Sequence, residues 1–165
     1  MDIGAVISYL LEHRITLASA ESCTGGYFAK TVTDFPGVSS IFDRGLVTYS
    51  LRAKEEELGV RRETLDKYTA VSEETAAEMA SGLFRKTGCD VCVSVTGYAG
   101  PVSPDYPKEP VGLFYVGLCF RGETKVRRFQ CEEKERDLIR TAALKEMFTF
   151  IDDEVVKVGI DNNTK

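Results

Sequence analysis

Residues 15–26 read ITLASAESCTGG: an apolar run, then an acid, two hydroxyls around a thiol, and a pair of glycines. Ile15 to Ala20 has the length and apolar character of a short buried strand. Glu21 to Gly26 supplies the turn, and a helical stretch follows that stops near Asp34, Pro36 and Gly37, all helix breakers. The local order is strand, turn, helix. Upstream, residues 2 to 13 place Val6, Ile7, Leu10 and Leu11 at helical spacing behind a possible Asp2 cap, so a first helix feeds the strand. Downstream, residues 44 to 50 (RGLVTYS) read as a second strand and Arg52 to Leu58 as a short helix that carries Lys54 and stops at Gly59. The clearest helix is capped by Ser72 and charged favourably by Glu73 and Glu74. Its apolar stripe is Ala76, Met79, Ala80, Leu83 and Phe84, with Gly88 just beyond. A strand from Val91 to Thr96 comes next, then a proline-rich loop from Gly97 to Pro110. Val111 to Phe120 and Thr124 to Phe129 form an antiparallel pair separated by Arg121 and Gly122. A last helix from about Lys134 to Ile151 precedes a polar end, DNNTK, expected to fray. Helices interspersed among strands imply an α/β fold, a three-layer αβα sandwich around a mixed sheet.

Composition sets the outer bounds. A chain of 165 residues with 43% hydrophobic content can bury one sizeable core, so residues 1–165 are read as a single domain. With 26 acidic against 21 basic residues the net charge is -5, which repels a phosphate backbone and disfavours nucleic-acid binding. No run of about 20 apolar residues is present to span a membrane, and the amino terminus lacks a basic stretch with a hydrophobic signal core. The expectation is a cytoplasmic protein. Its five cysteines are read as reduced thiols. Cys89 and Cys92 form a CxxC, but strand alternation turns the two sulfurs apart, which argues against a metal or redox pair. His13 is the only histidine, so a His-rich metal site is unavailable; it is placed at a surface or helix end. Neither a metal nor a cofactor is expected.

Four groups of residues can carry chemistry. The first is AESCTGG, residues 20–26, where a strand-to-helix turn presents a nucleophile beside main-chain amides able to hold an oxyanion or a phosphate. The plainer reading is that Ser22 or Thr24 caps the helix and the glycines permit tight packing. The second is VTYSLRAK, residues 47–54, in which Tyr49 and Lys54 can handle protons if burial or a nearby cation lowers the lysine. Otherwise Lys54 is solvated and Tyr49 fills core space. The third is TGYAGP, residues 96–101, where Thr96 and Gly97 can offer a hydroxyl and amides to a ligand or serve the turn alone. The fourth is Arg136 and Arg140, four apart on one helix face. They are placed to clamp a phosphate or to pair with Glu132, Glu133, Glu135 and Asp137.

In order and spacing, AESCTGG, GVSSIFDRGLVTYS, AKEEELGV, AVSEETAAEMASG, SVTGYAGP and KEPVG closely resemble the C-terminal domain of competence/damage-inducible protein CinA, a domain that also occurs alone as nicotinamide-nucleotide amidase. The resemblance runs from about Ile15 to Ile151. It implies a three-layer αβα domain that hydrolyses nicotinamide mononucleotide to nicotinic acid mononucleotide and ammonia without a metal. The nucleophile of that family falls on Ser22, and the tyrosine and lysine of its YSNEAK pattern fall on Tyr49 and Lys54. Cys23, Thr24 and Gly25 would then hold the oxyanion, and Thr96, Gly97, Arg136 and Arg140 the ribose phosphate. Two departures stand out. The asparagine and glutamate of YSNEAK are Leu51 and Arg52, and the usual glycine run is VSPDYPKE, residues 102–109.

These departures motivate an alternative: a catalytically inactive nucleotide-binding relative that acts through a protein partner. A third reading makes Cys23 the nucleophile, against which stands the lack of a histidine to form a thiolate pair. The expected partner is a small-molecule nucleotide substrate. A homo-oligomer is compatible with the sequence, which leaves the oligomeric state open.

Overall fold

The computed structural model describes residues 1–102 and 110–163; the altered loop, apart from Val102, lies outside the described residues. The chain runs α1 (Ile3–Glu12), β1 (Leu17–Glu21), α2 (Tyr27–Thr33), a single 3-10 turn, β2 (Phe42–Val47), α3 (Leu51–Leu58), α4 (Arg62–Tyr68) and α5 (Glu73–Thr87). It continues through β3 (Val91–Gly97), β4 (Leu113–Phe120), β5 (Glu123–Gln130) and α6 (Arg136–Ile151), then a π-helical stretch and α7 (Val158–Asn163). The five strands form one sheet in the order β2-β1-β3-β4-β5. β1 pairs parallel with β2 and β3, and β3, β4 and β5 pair antiparallel, so the sheet is mixed as expected.

Strand alternation sorts the core into two layers. Leu17, Val91, Val93 and Val95 face α1, α2 and α6, where they meet Val6, Ile7, Leu10, Phe28, Val32, Ile139 and Met147. Ala18, Ala20 and Cys92 face the other way, onto Leu58, Leu65, Met79, Ala80 and Leu83 of α3, α4 and α5. β1 and β3 are buried on both faces, which explains why they are mostly apolar, with small hydroxyls as their other residues apart from Glu21 and Gly97 at their ends. α5 ends as its signals predict: Ser72 accepts from the Thr75 amide and Gly88 closes the helix in the left-handed conformation.

Gly82, inside α5, is explained by close approach. A Cβ there would sit 1.8 Å from the Leu58 carbonyl oxygen, a backbone atom of α3 that cannot yield without moving the helix. Gly82→Ala should therefore destabilise the protein by about 2 kcal/mol or more despite alanine's better helix propensity. A urea denaturation midpoint equal to or above wild type would refute this packing.

Several expectations are corrected. The second strand ends at Val47, not residue 50, because Ser50 caps α3 by accepting from the Ala53 amide. α4 was unexpected, since its Arg61 cap makes no side-chain bond and only Thr64 and Leu65 are buried. The carboxy-terminal segment does not fray at Asp161: α7 runs to Asn163, and Gly159 lies so close to α1 that a Cβ would meet the Tyr9 hydroxyl at 2.0 Å. Cys89 precedes β3 rather than lying in it, so alternation does not separate it from Cys92; both join Cys119 in one apolar cluster. All five cysteines are free and buried. His13 ends α1 and stacks on Tyr9 at 4.0 Å, a helix-end role. Among the described residues no helix is long and apolar enough to cross a membrane.

Candidate active site

The carboxyl ends of the three parallel strands lie side by side, the usual location of ligand sites in open α/β sheets. Glu21 ends β1 opposite Val47 on one side and Val95 on the other. The ladder continues one residue further, with the Ser22 amide donating to Val95 O and the Thr48 amide to Glu21 O. Side chains alternate about the sheet, so Ser22, two residues beyond Ala20, faces the α3–α5 layer. Glu21 faces α2.

The turn after β1 closes on itself. The Gly25 amide donates to Ser22 O, and Gly25 and Gly26 adopt left-handed φ of 63° and 97° that a side chain would resist. Glu21 is fully buried and clamps this turn from beneath. One carboxylate oxygen accepts from Thr24 Oγ1 at 2.6 Å and from the amides of Gly26 and Phe28; the other accepts from the Ala29 amide. Among the described residues the Cys23 and Thr24 amides donate to no other residue, the Cys23 amide lying against its own thiol. They are the donors left over for a ligand oxygen.

Lys54 lies one turn into α3, just after the Ser50 cap, and its side chain is turned inward until 1% of the residue is exposed. Nζ lies 3.0 Å from Ser22 Oγ, 2.7 Å from Thr48 O and 3.5 Å from Tyr49 O. None of these partners is a carboxylate. Burial therefore acts against the ammonium with no ion pair to offset it and lowers the lysine from 10.5 to about 8. In the neutral amine two N–H groups point at the two carbonyls, and the lone pair is left for the serine hydroxyl. Cys23, next to Ser22, is affected in the opposite sense: burial pushes its thiol up to about 11.

The fold has solved counterparts, and the sequence has named relatives. The family model described as CinA C-terminal domain matches residues 3–155. The chain belongs to the CinA C-terminal domain family. It is 44% identical over 149 residues to a competence-damage inducible protein of Clostridium acetobutylicum, which covers 90% of this chain and 36% of that one. A CinA-like protein of Kosmotoga olearia is 44% identical over 146 residues, 88% of this chain and 35% of the relative. The chain thus spans about a third of the length of these relatives. Among solved structures, the competence damage-inducible protein A of Klebsiella pneumoniae superposes with a TM-score of 0.86 at 30% identity, covering 94% of this chain and 98% of that one. The competence/damage inducible protein CihA of Agrobacterium tumefaciens gives 0.83 at 34% identity, with 90% of each covered.

Other residues expected to serve the site through the CinA resemblance are placed unevenly. Tyr49 is neither in the core nor beside Ser22: it is 62% exposed, and its phenol accepts from Arg136 Nη2 at 3.1 Å. Lys54 meets the tyrosine's carbonyl, not its hydroxyl, so the expected pairing of the two side chains is absent here. Arg136 also donates through Nη1 to Gly100 O at 2.5 Å, so one guanidinium joins the segments that follow β2 and β3. Arg140 reaches the turn itself, donating through Nη2 to Thr24 O at 2.6 Å, while its Nε is buried without a partner. Its only acidic contact among the described residues is Asp137 at 3.7 Å. A cavity of 330 Å³ lined by Tyr27, Asp137, Arg140 and Thr141 opens beside it.

The Thr96 hydroxyl is already engaged, and Gly97 packs closely on β4. The Thr96 hydroxyl is buried and donates to Ala70 O at 2.7 Å, and a Cβ at Gly97 would meet Phe114 Cβ at 2.3 Å, which shows how tightly that position packs on β4. Leu51 and Arg52 point outward, the first exposed and the second paired with Glu56 at 2.7 Å. The larger cavity of 480 Å³, lined by Thr16, Asp43 and Cys89, lies at the opposite ends of the strands and contains no residue of this site. Two contributors escaped the sequence reading. Glu21 had one signal, a carboxylate directly continuing a strand of apolar and small uncharged residues. The Thr48 carbonyl had none.

Proposed function

We propose that this domain is a nicotinamide-nucleotide amidase that converts nicotinamide mononucleotide to nicotinic acid mononucleotide and ammonia through an acyl-serine. The observation that carries the reading is the buried Lys54 amine 3.0 Å from Ser22 Oγ, with its proton affinity reduced to about 8. At pH 7 about a tenth of such a lysine is neutral, against a few hundredths of a per cent for a free one.

Ser22 Oγ attacks the carboxamide carbon as its proton passes to Lys54 Nζ, and the carbonyl oxygen becomes an oxyanion held by the Cys23 and Thr24 amides. Collapse breaks the C–N bond. Lys54 returns the proton to the departing nitrogen, which leaves as ammonia. Water then attacks the acyl-serine and gives a proton to Lys54; that proton returns to Ser22 Oγ as the C–O bond breaks, and the carboxylic acid released loses its remaining proton to solvent. Every step uses one base and no metal. Arg140 and Arg136 supply the positive charge near the turn that a ribose phosphate requires, Arg136 exchanging its present acceptors for the phosphate. Tyr49 lines the mouth from the solvent side.

The alternative of an inactive nucleotide-binding relative drew on the 102–109 loop, which apart from Val102 lies outside the described residues, and on Leu51 and Arg52. Both side chains face solvent and neither touches Ser22 or Lys54, which supports the catalytic reading. Incubating the pure protein with nicotinamide mononucleotide should release ammonia and nicotinic acid mononucleotide in equal amounts. Tight binding of the nucleotide with no ammonia would instead favour the silent relative.

A further inference from the structure

Among the described residues the mechanism above leaves one buried carboxylate unused. Glu21 directly precedes the nucleophile, is fully buried, and forms no salt bridge among the described residues. A carboxylate in such a place is costly unless its charge is met by donors. The donors here are unusual in their position. The Thr24 hydroxyl at 2.6 Å and the amides of Gly26 at 3.2 Å, Phe28 at 3.0 Å and Ala29 at 2.9 Å all come from the segment that follows Ser22. The residue before the nucleophile thus grips residues on the far side of it, and the intervening turn is drawn into a closed ring.

Two consequences meet at the reacting centre. Anchored at Glu21 and at Thr24, the chain has little freedom to move Ser22 Oγ away from Lys54 Nζ. The carboxylate also takes up the Gly26, Phe28 and Ala29 amides, so the amides that donate to no other residue are those of Cys23 and Thr24, next to Ser22. We propose that Glu21 is the positioning residue of the site, its carboxylate holding the Ser22–Gly26 turn in the one form that both aims the serine at Lys54 and keeps two adjacent amides open for the oxyanion. This deepens the amidase reading and rests on it.

Glu21→Gln is the mild probe. Its amide nitrogen can face Ser19 Oγ, 3.5 Å away, at the loss of the Ala29 bond, so the variant keeps most of the clamp. Thr24→Val removes the shortest partner from the other side. In each variant kcat for nicotinamide mononucleotide should fall by about tenfold to a hundredfold, as for a reacting group displaced by a fraction of an ångström to one ångström. KM should stay within about twofold, and the pH at which the rate levels off, set by Lys54, should not move. The double variant should lose much less than the product of the two single losses, because both break the same clamp.

A fall in melting temperature with kcat unchanged per folded molecule overturns the proposal, as does a shifted pH profile, which would mean that the charge acts on Lys54 rather than on the turn. Independent losses in the double variant also overturn it. If the wild type releases no ammonia, the amidase reading fails by itself. The positioning role is then read from the rate at which a serine-directed fluorophosphonate adds to Ser22, followed by intact mass. Slower labelling in Glu21→Gln supports the role, and equal labelling, or none in the wild type, rejects it.

Discussion

Lys54→Met will reduce ammonia release by about 10³-fold or more, the range for loss of a positioned general base, and will leave the protein at least as stable as wild type. The two effects share one cause. A lysine lowered from 10.5 to about 8 by burial is a useful base because its ammonium is poorly tolerated. Below pH 8 both the folded and the unfolded chain carry the proton, so the full burial cost, about 3 kcal/mol, weighs on the fold at pH 7. Between 8 and 10.5 the unfolded chain holds a proton that the folded chain has released, so stability rises with pH through this window. Methionine removes that cost at neutral pH but leaves the Thr48 carbonyl without its 2.7 Å donor, a loss of about 1–3 kcal/mol. The net expectation is an unfolding free energy equal to wild type or greater by about 2 kcal/mol, read as an unchanged or raised thermal midpoint. For wild type, kcat/KM should climb about tenfold per pH unit towards pH 8 and then flatten. A profile flat through that region, or a methionine variant that still turns over, would remove Lys54 from the chemistry.

Ser22→Ala should lower kcat by about 10⁴-fold or more, since no acyl intermediate can form. Alanine is well tolerated at a position that is 9% exposed, so the variant should fold and bind nucleotide. The neighbouring thiol provides the control. Its pKa of about 11 keeps it protonated at neutral pH, so Cys23→Ala should retain most of the activity. Intact mass of the wild type quenched during turnover should show an added nicotinoyl mononucleotide mapped to Ser22. The reverse pattern, with Ser22→Ala active and Cys23→Ala dead, would transfer the nucleophile to sulfur.

Much of this architecture is legible in the sequence because burial writes itself as periodicity. β1 and β3 are covered on both faces, so residues 15–20 and 91–96 hold only apolar and small uncharged side chains, and α5 carries a cap, a stripe and a stop at their proper offsets. α4 has a single buried aliphatic residue and no capping side chain, which leaves little pattern to detect. The site divides in the same way. Ser22 and Lys54 sit at a turn and at a helix start, where local rules predict position, and the three-dimensional pairing across 32 residues follows from the β1–β2 register. Tyr49 and Thr96 were harder. Whether a side chain at a strand end faces a ligand, solvent or a neighbouring carbonyl depends on which long-range partner claims it, here Arg136 for the first and Ala70 for the second. Glu21 shows the converse, a charge at the end of a buried strand whose four shortest hydrogen bonds come from the next eight residues.

The placement of β1 between β2 and β3 has a temporal consequence. Every reactive group belongs to the first third of the chain, yet the Ser22 amide is fastened to Val95, on a strand that begins only at residue 91. A polypeptide growing from the ribosome therefore carries its serine, its lysine and the β1–β2 ladder before the strand that fastens the Ser22 amide. The last tie on the serine's own backbone arrives with the third strand.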